Sequence, residues 1–357
     1  MSPEFAAALR LAEGLDPTPA NLDRIARATS PEGARWAFAQ WSLRHRARAR
    51  FGDLARDRFW DADGLAMATH PALAAYHASL FPPGAIVADL TCGLGSDLAA
   101  LAARGPARGY ERDPARAALA RLNVPAAEVI GGDGLDEVDA RYLFADPARR
   151  DGVRRLDDPD AWSPDPRALA DRMRRADGGA IKLSPGTPDE YLRGLGGDTE
   201  FLSFGGECRE ALVRFPGEGR VSAVLLPTGE RLSPAPPPPP GEPEGWLFDL
   251  DPAAVRAGAS GAFGLAGLGD RPGYLVAPER RESPWWRAYE ILWHGRPDDA
   301  PREAKRRGWR VFEAKQRGAG ADGPSLLRRF PKDGEAASLV LWTEGPRVRA
   351  AIVRSSS

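Results

Sequence analysis

Four acidic residues each follow a short apolar segment, and this arrangement is the pattern in the chain most able to do chemistry. The acids are Asp89, Glu111, Asp133 and Asp146. The carboxyl ends of parallel strands meet at one edge of an open α/β sheet, so we expect the four side chains to face one ligand cleft. Carboxylates accept hydrogen bonds from ribose hydroxyls and from the amine of adenine, and they attract cations. The pattern therefore predicts a site for a ligand that carries these groups.

A glycine-containing turn follows the first of these acids. Residues 85–97 read as a buried strand, a tight loop with Gly93 and Gly95, and the start of a helix. Glycines here permit unusual backbone angles and let a ligand approach the main chain. A dinucleotide site would need a third glycine where Leu98 stands, so that fingerprint fails. Asp89 instead suits an amino-bearing cation such as S-adenosylmethionine, although a glycine-rich turn in an unrelated α/β domain is the alternative.

The next two acids suit the nucleoside part of such a ligand. Glu111 ends the second predicted strand and is the better candidate for the two ribose hydroxyls, with Asp113 as the runner-up. Asp133 follows the third strand and could accept from the exocyclic amine of adenine. Each acid alone is more often a helix cap or a solvated turn residue, so the prediction depends on their joint order.

Residues 85–150 resemble the class I S-adenosylmethionine-dependent methyltransferases. The segment Asp-Leu-Thr-Cys-Gly-Leu-Gly at 89–95 resembles their first motif, in the form that nucleic-acid methyltransferases have. Glu111 resembles their ribose acid, Asp133 their adenine-side acid, and Asp146-Pro147 their fourth motif. The resemblance implies a Rossmann-like α/β fold, parallel with a C-terminal antiparallel hairpin, and S-adenosylmethionine as the cofactor. The cofactor-binding set that it implies is Asp89, Thr91, Cys92, Gly93, Gly95, Asp97, Glu111, Arg112, Asp133 and Gly134.

The fourth motif supplies the expected catalytic residues Asp146, Pro147, Arg149 and Arg150. For an aromatic amine target, Asp146 and the Pro147 carbonyl would accept the amine hydrogens and direct the lone pair at the methyl group. Family members that methylate base amines have Asp/Asn-Pro-Pro and an aromatic residue, whereas this chain has Asp-Pro-Ala-Arg-Arg. Arg149 and Arg150 could hold a phosphate or a carboxylate. The alternative is a structural salt bridge to Asp151, Asp157 or Asp158.

The elements around these residues suggest four segments. Residues 1–80 are a helical region, with helices predicted over 3–12, 21–29, 31–50 and 69–80 and with Thr69 as the N-cap of the last. Residues 81–233 form the methyltransferase domain, in which Lys182 lies on a fifth strand at 179–184 and strands 210–215 and 220–226 form the closing hairpin. Residues 234–243 are a proline-rich linker. Residues 244–357 form a smaller α+β domain.

The C-terminal domain resembles the THUMP-like domain found behind such methyltransferases, on the segments 251–258, 313–318 and 326–329 and the closing strand pair 338–343 and 347–354. THUMP domains bind RNA, so the resemblance implies an RNA partner. Residues 271–354 hold 18 Lys/Arg and 11 Asp/Glu, a net charge of +7, among five tryptophans. Basic charge with aromatic residues suits phosphate contact and base stacking; alternatively, the tryptophans are core and the arginines solvated. The expected substrate-binding residues are Lys305, Arg306 and Arg307, in a basic loop at 305–310, with Lys315 and Arg317.

Composition narrows the class further. The formal net charge is −1, which predicts no overall electrostatic steering. The two cysteines, Cys92 and Cys208, cannot build a disulfide framework, and four scattered histidines predict no metal site. The sequence shows neither a secretory signal nor an apolar run of membrane-spanning length, so we expect a cytoplasmic protein without a membrane partner. The oligomeric state stays open.

The sequence therefore predicts an S-adenosylmethionine-dependent methyltransferase that acts on a base in RNA, either tRNA or rRNA. Two alternatives remain. One is a methyltransferase for a small molecule or a protein, and the other is a non-catalytic RNA-binding protein that retains a cofactor pocket.

Overall fold

The computed structural model describes residues 1–136, 138–148, 150–151, 154–155 and 158–355, with the backbone alone at 150–151 and 154–155. These residues form two compact units. The first comprises Met1–Leu183, Asp189–Gly197 and Val213–Glu218, and the second comprises Ser184–Pro188, Asp198–Leu212 and Gly219–Ser357.

The first unit begins with helices, as predicted. Three of them start at a Ser or Thr cap followed by proline: Ser2, Thr18 and Ser30 each accept from the backbone N–H three residues on. The predicted N-cap Thr69 is wrong, since His70 caps that helix with its ring nitrogen. The helices before the sheet are α1 (Pro3–Leu11), α2 (Pro19–Ala28), α3 (Pro31–Phe51), α4 (Leu54–Asp57), α5 (Ala62–Met67) and α6 (Pro71–Ser79).

A parallel sheet follows in the same unit, in the order β7-β4-β1-β2-β3. Its short, buried strands alternate with helices, which confirms the predicted α/β class. The elements are β1 (Val87–Asp89), α7 (Ser96–Ala102), β2 (Ala107–Glu111), α8 (Pro114–Asn123), β3 (Glu128–Gly131), β4 (Tyr142–Ala145), β5 (Arg150–Asp151), β6 (Arg154–Arg155), α9 (Pro166–Met173), β7 (Gly178–Leu183) and α10 (Asp189–Gly194). β5 and β6 pair with each other in a separate antiparallel ribbon.

The second unit contributes strands in two groups. The first group has the order β11-β10-β8-β9, and the second forms a seven-stranded sheet in the order β13-β14-β12-β15-β18-β17-β16. The strands are β8 (Asp198–Phe204), β9 (Glu207–Phe215, whose last three residues belong to the first unit), β10 (Val221–Leu226), β11 (Glu230–Leu232), β12 (Trp246–Leu250), β13 (Ala266–Gly267), β14 (Tyr274–Ala277), β15 (Trp286–Gly295), β16 (Trp309–Gln316), β17 (Glu335–Glu344) and β18 (Arg347–Ser355). The helices are α11 (Pro252–Arg256), α12 (Ala300–Arg307) and α13 (Gly323–Leu327).

The closing hairpin is present, but the predicted pairing of its strands is wrong. β8 lies between β9 and β10, and β10 pairs with β8 in parallel. The hairpin is formed by β8 and β9, which a two-residue turn at Gly205 and Gly206 connects. Both glycines have positive φ, 66° and 78°, as tight hairpin turns demand. The sequence prediction paired β9 with the strand that follows it in the chain instead of the strand that precedes it, because a longer loop with Pro and Gly also resembles a turn.

The proline-rich segment 234–243 lies within the second unit and packs along β13. Gly267 N donates to Pro239 O at 2.7 Å, and Gly241 N donates to Gly267 O at 2.8 Å. Proline has no N–H, so the segment pairs through its carbonyls and through Gly241. The predicted boundary therefore does not coincide with the division between the compact units.

One asparagine connects the N-terminal helices to the glycine loop. At the end of α8, the Asn123 amide donates to Phe59 O at 3.0 Å and to Leu94 O at 2.9 Å, and its oxygen accepts from Phe59 N at 2.7 Å. Leu94 stands between the two glycines of the loop. The position of the loop therefore depends on a side chain outside it.

We predict that Asn123→Ala lowers the free energy of unfolding by about 2–3 kcal/mol, because three partly buried backbone groups lose their partner. Urea denaturation measures the change. Asn21→Ala is the matched control: Asn21 donates one hydrogen bond to Asp16 O at an exposed site, so its loss should be below about 1 kcal/mol. Equal losses in the two variants would contradict the role given to Asn123.

Candidate active site

Asp89 is a buried carboxyl at the end of the central strand β1. Only 1% of its surface is exposed, and it accepts one hydrogen bond from Thr91 N at 3.1 Å. Burial raises the pKa of Asp89 well above its ordinary value, and the nearby Asp97 and Asp146 carboxylates add to the shift. A cation bound beside Asp89 would favour the charged form again. The site is thus suited to a positively charged ligand.

The glycine loop takes the backbone shape that its sequence predicts. Gly93 and Gly95 have φ of 54° and 86°, and a Cβ on Gly95 would lie 2.6 Å from Val124 Cγ2. The Cys92 side chain is 5% exposed and packs against Gly109. Burial raises the pKa of the Cys92 thiol, so this residue is a packing group in the loop rather than a nucleophile.

The two acids at the end of β2, Glu111 and Asp113, make different contacts. Asp113 caps α8 by accepting from Ala115 N and Arg116 N, and these backbone bonds lower its pKa. Glu111 accepts from Asp113 N at 2.8 Å through Oε1. In the described part of the chain no protein donor bonds to its second oxygen, Oε2. Of the two acids, Glu111 therefore keeps the freer carboxylate, and its assignment to a ribose stays a prediction.

Asp133 and Arg112 form an ion pair across the ends of β2 and β3. Arg112 Nη2 contacts Asp133 Oδ2, and Arg112 Nη1 donates to Ser163 Oγ at 3.0 Å. The other Asp133 oxygen accepts from Leu135 N at 2.9 Å. The next residue, Gly134, lies so close to the Leu90 carbonyl that a Cβ would clash with it. This close approach fixes the loop that carries Asp133.

A buried polar network begins at Asp146 and extends away from the sheet edge. Lys182 Nζ lies 2.6 Å from Asp146 Oδ2 and 2.9 Å from Thr69 Oγ1. The Thr69 hydroxyl donates to Asp97 Oδ2 at 2.6 Å, and His77 Nδ1 lies 2.7 Å from Asp97 Oδ1. Five side chains thus form one connected chain, and they come from α6, α7, β7, the segment before α6 and the residue directly after β4.

The hydrogen bonds in this network have defined directions. The Thr69 hydroxyl has one proton, which it gives to Asp97, so its oxygen must accept from Lys182. Burial alone would raise the pKa of Asp97. The combined effect of His77, Lys182 and the Thr69 hydroxyl outweighs burial, and the pKa is lowered. Asp97, assigned to the cofactor from sequence, is therefore an ionised carboxylate that organises this network.

Asp146 is held from its backbone side as well. Its N–H donates to Thr91 Oγ1 at 2.6 Å, and Thr91 N in turn donates to Asp89. Pro147 is buried beside it. Of the other two predicted catalytic residues, Arg149 and the Arg150 side chain lie outside the described residues.

The sequence prediction missed three members of the network: Lys182, Thr69 and His77. A signal existed for Lys182, since it is one of four lysines in the chain and lies within the otherwise apolar strand β7. Thr69 resembled a helix cap, and His77 lies within an alanine-rich helix. The sequence around either residue gives no sign that it bonds to Asp97.

The predicted substrate-binding residues lie in the second unit and mostly contact acidic partners. The expected basic loop is wrong, since α12 continues to Arg307 and β16 begins at Trp309. Arg306 and Arg307 lie 2.7 and 3.6 Å from Glu303, one turn earlier, while Lys305 is exposed.

The other two predicted contacts share one carboxylate. Lys315 and Arg317 lie 3.7 and 2.8 Å from Asp249, and their side chains are about four-fifths buried. Of the five tryptophans in residues 271–354, Trp285, Trp309 and Trp342 are buried. These contacts favour the interpretation in which the aromatic residues are core.

None of the helices that the described residues form has both the length and the apolar character needed to span a membrane. The same residues contain no group of three or more His, Cys, Asp or Glu side chains that could hold a metal ion.

The amino-acid sequence is similar to those of two known proteins. It is 34% identical over 293 residues to a protein of Mycobacterium tuberculosis strain CDC 1551 / Oshkosh named as an uncharacterised S-adenosylmethionine-dependent methyltransferase, covering 74% of this chain and 80% of that one. The counterpart in strain H37Rv matches equally. No family model matches the chain.

Among solved structures, a protein from Porphyromonas gingivalis W83, provisionally named a methyltransferase, has the same fold. Its TM-score is 0.77 at 21% identity, and the match covers 98% of this chain and 95% of that chain. This likeness confirms the predicted fold class, a Rossmann-like α/β sheet with helices and a second sheet.

We predict that Glu111→Gln weakens S-adenosylmethionine binding by about 1–3 kcal/mol, because the ribose hydroxyls lose a charged acceptor. Titration calorimetry measures the affinity. Asp113→Asn is the matched control and should change affinity less while lowering thermal stability, since Asp113 caps α8. A larger loss of affinity in Asp113→Asn would mean that the ribose acid is assigned to the wrong residue.

We also predict that cofactor binding releases protons from Asp89. Its raised pKa keeps part of the carboxyl protonated in the free protein, and the bound cation favours the carboxylate, so affinity should rise with pH through the raised pKa. Calorimetry at a series of pH values at which the cofactor's amino group stays charged, in buffers of different ionisation enthalpy, gives the number of protons released. Asp89→Asn should abolish the release, and an unchanged release in that variant would show that another group titrates.

Proposed function

The chain belongs to the S-adenosylmethionine-dependent methyltransferases, and from this premise we propose that it methylates a base in RNA. The observation that carries the catalytic part is the fixed position of Asp146. This carboxylate follows β4 at the edge of the sheet where Asp89 and Glu111 also end their strands. It is therefore adjacent to the proposed cofactor site.

The residues around the glycine loop fit the cofactor. Gly93 has open space where a side chain would otherwise stand, Asp89 gains from a nearby cation, and Glu111 has an oxygen available for a ribose. The cofactor supplies a methyl group carried on an electrophilic sulfonium. The protein's part is to hold the cofactor and a nucleophile in line, which removes much of the entropic barrier.

Asp146 would orient the nucleophile. Thr91 holds its backbone and Lys182 holds one carboxylate oxygen, so its carboxylate plane is set before substrate arrives. An exocyclic amine that donates to Asp146 and to the Pro147 carbonyl would present its lone pair to the methyl group. When the new carbon–nitrogen bond forms, the amine proton can leave through the carboxylate that already accepts it.

The RNA part of the proposal comes from the second unit. Residues 271–354 have a net charge of +7, and a basic surface favours a phosphate backbone. Of the residues first assigned to the substrate, Lys305, Arg306 and Arg307 are exposed at the end of α12, where cations are also favoured by the helix dipole. Lys315 and Arg317 share Asp249 and contribute less. The resemblance of this region to a THUMP-like domain supports the same proposal.

A methyltransferase for a small molecule or a protein is the second candidate. The ion pairs of Arg306, Arg307, Lys315 and Arg317 favour it, because they account for these cations without a polyanion. The substrate assay below separates the two candidates.

We predict that Asp146→Ala lowers the rate of methyl transfer at least about 100-fold and leaves the cofactor affinity within about threefold, because the carboxylate acts mainly in the transition state. The assay transfers labelled methyl groups to total RNA from a strain that lacks the protein. Asp146→Asn keeps the shape and one acceptor and should be intermediate. Lys182→Gln should also lower the rate, since it releases the carboxylate that it fixes.

RNA from the parent strain is the matched substrate control and should accept little label, because its sites are already methylated. Label that enters only the protein or the small-molecule fraction would overturn the RNA substrate and leave the methyltransferase assignment intact. An Asp146→Ala enzyme with full activity would overturn the assigned role of this residue.

A further inference from the structure

A cavity of about 550 Å³ lies in the second unit, and none of its lining residues has so far been assigned to substrate. It is formed by the segment between β14 and β15, the start of β15 and the last residue of β18. Its volume is within the range of small-molecule sites, about 300–1,000 Å³. The lining residues are Arg280, Arg281, Glu282, Ser283, Pro284, Trp286, Arg287, Ala288 and Ser355.

The charge of this cavity is positive, with three arginines against one glutamate. Arg280 lies 3.3 Å from Glu282, so one positive charge is compensated. Arg281 and Arg287 are exposed, and within the described ranges no carboxylate lies at salt-bridge distance from either. This contrasts with Arg306 and Arg317, which have acidic partners. Two guanidinium groups are therefore available to an anion.

The aromatic wall of the cavity is fixed in place. The Trp286 ring packs against Phe248 and Phe263, with ring centroids 4.9 and 5.0 Å apart. Its Nε1 donates to Arg281 O at 3.1 Å, which connects the indole to the arginine-bearing segment. Because these contacts order the ring, a base stacking on it would lose little side-chain entropy in the protein.

We propose that this cavity binds single-stranded RNA, with Arg281 and Arg287 on backbone phosphates and Trp286 against a base. The planar guanidinium group matches phosphate oxygens in a bidentate manner, and tryptophan stacks on any base. A duplex hides its base faces and would use only the arginines. The proposal rests on the RNA substrate proposed above and names a surface that takes part in holding it.

The test measures binding of a fluorescently labelled single-stranded RNA oligonucleotide by anisotropy over a series of salt concentrations. The Arg281→Gln/Arg287→Gln double variant should bind at least about tenfold more weakly near 100 mM salt. Its slope of log affinity against log salt should be shallower by about 1.4, since each lost phosphate contact on a single strand contributes about 0.7. The charge-reversed Arg281→Glu/Arg287→Glu variant should bind more weakly still.

The matched control is Arg347→Gln, which removes an exposed charge at the opposite end of β18 from Ser355. The two positions are eight residues apart on one strand, about 26 Å. This variant should retain the wild-type affinity. Cofactor affinity and melting temperature, which should not change in any variant, confirm that each protein is folded.

The outcomes separate this inference from the proposed function. Wild-type protein that binds RNA, with an unchanged affinity and salt slope in both double variants, would overturn the cavity as an RNA site and leave the RNA substrate intact. Wild-type protein that binds no RNA would overturn both. An equal loss in Arg347→Gln would show that binding follows total charge, and would also overturn the assignment to this cavity.

Discussion

The active site depends on the hydrogen bonds that compensate the negative charge of the buried Asp97 carboxylate. An unpaired charge at this depth would be strongly destabilising, so the network of His77, Thr69 and Lys182 around it must form with the fold. Lys182 also contacts Asp146. The network that compensates the charge of Asp97 therefore also holds the carboxylate of Asp146, the proposed catalytic residue. The geometry at the sheet edge is thus determined by packing behind it.

Close backbone approach sets the rest of the site. Gly134 lets the loop with Asp133 lie directly against the Leu90 carbonyl at the end of β1, and Asn123 holds the Leu94 carbonyl in the glycine loop. Both loops are therefore fixed through backbone groups, and Asp133 is held further by its ion pair with Arg112. Burial and the nearby Asp97 and Asp146 carboxylates raise the pKa of Asp89, and a cation bound beside it would favour its charged form. Such preorganisation favours binding of a positively charged cofactor.

In the second unit, arginines of similar sequence context have different environments. Arg317 is partly buried over Tyr274 with Asp249 as its partner, Arg306 bonds to Glu303 one turn earlier, and Arg281 faces a cavity beside Trp286. In the net charge of the segment, each of these arginines counts as one positive charge, whatever its partners are. Only the arginines without a nearby carboxylate keep their full attraction for a polyanion, which is why the cavity is a stronger candidate than the segment with the highest local charge.

The sequence by itself determined the longer helices and the parallel strands of the first unit and the acids that end those strands, whereas it did not predict the short helices α4, α5 and α10. These features are local: capping residues, apolar runs and glycines act within a few positions, and α1, α2, α3 and β7 lie within two residues of their predicted bounds. Only the tertiary structure decided that β8 pairs with both β9 and β10, that Thr69 bonds to Asp97 rather than capping α6, and that Lys182 contacts Asp146. The side-chain bonds of this network join residues from 28 positions apart, as in Thr69 and Asp97, to 113 positions apart, as in Lys182 and Thr69, and no periodicity along the chain encodes such a distance. They exist because buried polar groups must find partners, and the partners are set by how the elements pack.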